Sequence, residues 1–114
     1  MRIELLYFDG CPSYETLLPR LRLLLERHGI DEPVELRRVE TLEAAERERF
    51  LGSPTVRIDD EDIDPEAAKR SDFGLKCRLY RNDDGGRTGT PSDAMVARAL
   101  RRAAHSPQGQ NSHP

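Results

Sequence analysis

Apolar residues fall along the chain in short runs whose period switches between strand and helix. Ile3-Glu4-Leu5-Leu6-Tyr7-Phe8 contains a single charge and is rich in strand formers, which predicts a strand buried on both faces. Asp9-Gly10 ends it, and Cys11-Pro12-Ser13-Tyr14 leads into a helix. Leu17, Leu18, Leu21, Leu24 and Leu25 then recur at helical spacing, with Arg20, Arg22, Glu26 and Arg27 outward. Pro12 suits the first turn, Pro19 is predicted to kink the helix, and Gly29 to stop it.

Residues 33–39 predict a second strand, partly alternating. Thr41 is placed to cap a helix from Leu42 to about Leu51, with Leu42, Ala45 and Phe50 inward. Gly52-Ser53-Pro54 breaks it. Thr55-Val56-Arg57-Ile58 is a third strand, and Asp59-Asp60 turns the chain into Glu61-Asp62-Ile63. A helical turn is expected at Pro65–Lys69 and a further strand at Leu75–Tyr80, followed by a loop at 82–86. A last helix opens at Thr90-Pro91-Ser92-Asp93, with Met95, Val96, Ala99 and Leu100 inward. The first two strands, joined through a helix, should be parallel, and the hairpin at Asp59-Asp60 antiparallel. The expected class is therefore α/β: a mixed central sheet flanked by helices, with an extra strand before the last helix.

At 114 residues the chain is one domain's worth, assigned to 1–104, with a polar tail at 105–114 expected to be disordered. No apolar run reaches the roughly 18 residues of a membrane helix, and the N-terminus reads as a strand rather than a signal peptide, so a cytoplasmic location without membrane contact is expected. A net charge of −3 gives no global reason to bind nucleic acid. Two cysteines are too few for a disulfide scaffold.

Chemistry concentrates at Cys11. It follows a buried strand at the start of a helix, where free amide groups and the helix dipole lower a thiol's pKa and improve it as a nucleophile and metal ligand. The plainer alternative is a small residue at a turn. Ser53-Pro54-Thr55 is a second feature, since a proline fixes the backbone at a strand's entry; it also serves as a helix stop. Cys77, between Lys76 and Arg78, is a third. Alternation puts both cations on the face opposite its sulfur. It is either a buried strand cysteine or a partner for Cys11, which would need Cα atoms within about 7 Å. Asp59–Asp64 is dense in carboxylates but has neither the glycine nor the terminal glutamate of a calcium loop, and reads as a solvated turn. Arg37-Arg38 and Arg101-Arg102 read as solvated faces. The histidines, His28, His105 and His113, have no metal spacing.

Phe8-Asp9-Gly10-Cys11-Pro12-Ser13-Tyr14 before a helix, with Gly52-Ser53-Pro54-Thr55-Val56 opening a hairpin, resembles the thioredoxin superfamily over most of residues 2–104. The resemblance implies a thioredoxin-like fold, Cys11 at the nucleophile position and Pro54 as a cis-proline. It also implies that the Ser53 backbone faces a bound thiol or peptide, with Pro12, Tyr14 and Thr55 beside it. The chain departs from the usual Cys-x-x-Cys motif, whose last position here is Tyr14. A dithiol cycle then needs Cys77, and a monothiol route needs an external thiol such as glutathione. Ile3–Pro12 together with Phe73–Tyr80 is similar to small bacterial thioredoxin-like proteins, some of which carry the label alkylmercury lyase.

Three readings follow. In the first, Cys11 attacks a small-molecule or protein disulfide and Cys77 or an external thiol resolves it, with no cofactor. In the second, Cys11 and Cys77 hold or process soft metals or mercurials, with Asp9 or Tyr14 as proton donor. In the third, the chain is a redox-inactive binding module.

Overall fold

The computed structural model describes residues 1–104; the expectation for the tail at 105–114 lies outside them. Strand β1 (Ile3–Tyr7) occupies an interior position of a four-stranded sheet. It pairs in parallel with β2 (Val34–Arg38) and antiparallel with β3 (Thr55–Ile58), which pairs antiparallel with β4 (Glu61–Asp62). The order is β2-β1-β3-β4. Helices α1 (Ser13–Arg27), α2 (Leu42–Arg47) and α3 (Asp93–Ala104) complete a mixed α/β architecture. No helix among the described residues is long and apolar enough to cross a membrane.

Alternation along β1 feeds two cores. Ile3 and Leu5 pack with Val56 and Ile58 against Leu17, Leu21 and Leu24 of α1 and Val96 and Leu100 of α3. Leu6 enters a second cluster with Val39, Ala45 and Phe50. Burying these side chains contributes about 1.5–3 kcal/mol each. Glu4, also fully buried, is matched by Arg37 at 2.9 Å and Arg2 at 3.1 Å. Arg37 therefore serves the interior rather than a solvated face.

Helix α1 runs unbroken through Pro19, which lies on its exposed side. It ends in a Schellman motif: Gly29 has φ +70°, its amide donates to Glu26, and that of Ile30 donates to Leu25. Thr41 caps α2, accepting from the Ala44 amide at 3.0 Å. The helix stops about four residues earlier than its sequence suggests. Arg49 adopts φ +56°, and the Phe50 amide donates to Ala45, so Phe50 swings into the second core. Leu42, expected inward, is 66% exposed. Ser92 caps α3 by accepting from the Met95 amide. The 3-10 turn at Pro65–Lys69 is present, capped by Asp64.

The extra strand is corrected. Residues 75–79 join no ladder beyond a single parallel bridge from Cys77 to Ser53. Tyr80–Arg81 (β5) instead pairs with Arg87–Thr88 (β6) as a separate two-stranded hairpin. The segment is held instead by backbone bonds to Phe50 and Ser53 and by the Arg78 and Tyr80 side chains.

Candidate functional site

Cys11 sits in the turn that carries β1 into α1. Its amide donates to Phe8 and the Glu15 amide to Pro12, so the sulfur is placed two residues before the helix begins. The residue is 1% exposed. Its Sγ lies 3.5 Å from the Ser53 carbonyl oxygen and 3.8 Å from Ser13 Oγ, and it is joined to Cys77 in a disulfide with Cα atoms 5.5 Å apart. The Ser53–Pro54 bond is cis. Ser53, Pro54 and Thr55 are all buried, whereas Pro12 is exposed.

Cys77 is exposed, which removes its reading as a buried strand cysteine. What holds it is a set of polar and steric contacts on its neighbours. Lys76 O accepts from the Ser53 amide at 2.8 Å, and the Arg78 amide donates to Ser53 O at 2.9 Å. In the disulfide-bonded form both peptide groups of Ser53 are thus engaged by the segment that carries Cys77. Close approach at this seam requires Gly52. Its φ is +128°, and a Cβ there would meet Arg78 Cβ and Lys76 O at 3.0 Å.

Arg78 anchors the segment from the opposite side, as alternation predicts. Its side chain is fully buried and grips Asp62 with two bonds of 2.7 and 3.0 Å. It also donates to Thr55 Oγ1 at 3.1 Å, approaches Asp64 at 3.9 Å, and lies 4.4 Å over the Tyr80 ring. Burial pulls the Arg78 pKa down, but Tyr80, Asp62 and Asp64 outweigh it and the net shift is upward. Tyr80 donates to the carbonyl of Pro54 at 2.5 Å. Burial above all, with Asp62 and Asp64, holds its phenol well above the usual range against the pull of Arg78. The carboxylate run is therefore only half a solvated turn: Asp59 and Asp60 form the bend with φ +53° and +71°, while Asp62 and Asp64 serve Arg78.

No family model, curated protein or solved structure matches the chain. The site's chemistry accordingly rests on its own geometry. Tyr14 stacks on Tyr7 with ring centroids 4.1 Å apart, and no hydrogen bond links it to Cys11 among the described residues. Lost hydration, then Glu15, shifts its phenol upward. Asp9 is exposed and pairs with Arg38 at 3.3 Å. Among the described residues no cluster of three or more His, Cys, Asp or Glu side chains could hold a metal.

Sequence reasoning singled out Cys11, Ser53, Pro54, Thr55 and Cys77, and the fold brings all five to one seam. It missed Gly52, Asp62, Arg78 and Tyr80. The available signal was an arginine flanked by Cys77 and Leu79 in an otherwise strand-like run, facing a carboxylate-rich hairpin. A side chain on the inner face of such a run must find a partner when it is charged.

Proposed function

We propose that this chain is a thioredoxin-like thiol–disulfide exchange protein whose redox couple is Cys11 and Cys77. The observation that carries this reading is the 5.5 Å Cα separation of two cysteines 66 residues apart, beside the cis Ser53–Pro54 bond. The thioredoxin-like part is supported by the parallel β1–β2 pair joined through α1, the antiparallel β3–β4 hairpin, and a cysteine at the start of α1 next to a cis-proline. Chemically, the arrangement favours a reversible two-electron couple. Gly52, Ser53, Arg78 and Tyr80 fix Cys77 without help from the sulfur, so the reduced pair keeps its proximity and re-forms the bond quickly.

The deciding experiment is equilibration of the protein in graded mixtures of reduced and oxidised dithiothreitol, followed by thiol alkylation and mass measurement. A single reversible transition is expected in which two thiols disappear together within a monomer, and Cys11→Ser or Cys77→Ser abolishes it. Intermolecular bonds only, or two thiols that titrate independently, would overturn it.

The same pair of sulfurs favours a second reading, two-coordinate binding of a soft cation. Stoichiometric mercuric-ion binding that requires both reduced thiols, without exchange activity, would replace the redox reading. Mercurial cleavage draws less support, since Asp9 is engaged by Arg38 and Tyr14 by Tyr7. If Cys11→Ser altered neither exchange nor binding, a redox-inactive binding module would remain.

A further inference from the structure

We propose that external thiols enter and leave this couple through Cys77 rather than Cys11, and that the adjoining groove selects small thiols and disulfides bearing negative charge. The inference rests on the redox reading above and deepens it. Thiol–disulfide exchange requires the attacking sulfur to reach the sulfur it attacks. Cys11 is 1% exposed and Cys77 is exposed, so an incoming thiolate meets Cys77 first. This inverts the roles read from the motif: Cys11 becomes the interior partner.

Cys77 lines a groove of about 840 Å³ in which six cationic side chains face three acidic ones. Most of these charges are accounted for. Lys69 pairs with Glu66, Arg78 with Asp62 and Asp64, and the groove's Asp83 with Arg98. Arg70 and Lys76 share one carboxylate, Asp72, which they hold well below the usual carboxylate range. Arg81 and Arg87 have no carboxylate within 4.0 Å among the described residues, and both are exposed. They are also register partners across the β5–β6 hairpin. Like charges placed directly opposite destabilise a strand pair, and a two-stranded hairpin is marginal by itself. An anion lying between them relieves that repulsion. The positive excess is local, because the whole chain carries −3.

A thiolate RS⁻ forms a bond to Cys77 Sγ, the Cys11–Cys77 bond breaks, and its electron pair leaves on Cys11. That thiolate lies 3.8 Å from Ser13 Oγ, whose hydroxyl can donate to it. A second RS⁻ then attacks the substrate sulfur of the mixed disulfide, releasing RSSR and the Cys77 thiolate. Two RSH are oxidised, one protein disulfide is reduced, and the two thiol protons end on Cys11 and Cys77. The reverse sequence oxidises the dithiol with RSSR.

The test uses the oxidised full chain with 2-mercaptoethanesulfonate, 2-mercaptoethanol and cysteamine, compared at equal thiolate concentration. Reduction rate constants should fall in that order, about threefold per step at low salt, and converge at high salt. In an Arg81→Ala/Arg87→Ala variant the anionic advantage should shrink, while the neutral thiol reports any general change. Separately, the disulfide of 2-mercaptoethanesulfonate should modify Cys77 in Cys11→Ser about tenfold faster than Cys11 in Cys77→Ser, because only the former is accessible. A flat or inverted charge order, or faster modification of Cys11, overturns the inference while leaving a reversible couple intact. If no reversible intramolecular bond forms, the redox reading fails. The charge preference of Cys77 in Cys11→Ser is then judged with that anionic disulfide against the neutral disulfide of 2-mercaptoethanol.

Discussion

Cys11 is delivered by a turn between β1 and α1, and both elements are held by apolar packing: Ile3, Leu5, Leu17, Leu21 and Leu24 sit in one cluster. Cys77 arrives on a stretch with a single bridge to the main sheet, fastened by a buried arginine, a buried phenol and a glycine that lets two backbones touch. The first cysteine is positioned by non-directional burial, which tolerates adjustment. The second is positioned by directional contacts, each of which costs more to break than it contributes when intact.

That contrast is open to mutation. The largest effect is expected from Arg78→Ala, which strands Asp62 beside an apolar interior and should cost about 3 kcal/mol or more. Asp9→Ala, on the Cys11 side, removes only an exposed ion pair and should stay within about 0.5 kcal/mol. Urea unfolding of the oxidised proteins distinguishes the two, and similar losses would erase the comparison. Gly52→Ala comes next, at about 2 kcal/mol, from a disallowed φ and the meeting with Arg78 and Lys76. Its signature is faster hydrogen exchange at the Ser53 and Arg78 amides, with α1 unaffected.

Tyr80→Phe should cost about 1 kcal/mol by orphaning the Pro54 carbonyl. It also carries a pH signature. The folded phenol pKa is raised, so as pH climbs past about 10 the unfolded chain releases this proton and the folded chain retains it. The stability associated with Tyr80 is complete below that pH and declines above it. Tyr80→Phe should flatten this alkaline decline, and an unchanged slope in urea titrations across it would contradict the assignment. The smallest effect belongs to the sheet. Asp60→Gly relieves a left-handed conformation in a two-residue hairpin and should add about 0.5 kcal/mol, read as a small rise in Tm with Cys77 reactivity unchanged.

The two regions also differ in how far they could be read in advance. β1, α1, β2 and α3 follow from apolar periodicity, because burial acts on side chains a few positions apart and leaves a local record. The end of α2 does not, since Arg49 takes the left-handed position that glycine normally marks. Leu75–Tyr80 has the composition of a strand, yet strand pairing depends on a free edge elsewhere, which no local pattern records. At the site, Cys11 and Pro54 were legible from their places at element ends. The proximity of Cys77 was not, because it depends on Arg78 meeting Asp62 sixteen residues away. The acidic hairpin looked solvated in isolation, and alternation placed Arg78 only on the face opposite the Cys77 sulfur; their pairing gives both an interior role.

One consequence follows from Ser53. A visiting polypeptide docks on a strand-like seam by exchanging amide and carbonyl bonds with it. Here those groups already belong to Lys76 and Arg78, so a guest chain finds no vacant rung at Ser53. A substrate small enough to reach the sulfur without pairing its own backbone faces no such obstacle. On the proposed exchange reading, the Ser53 edge therefore favours a small thiol or disulfide over an extended peptide.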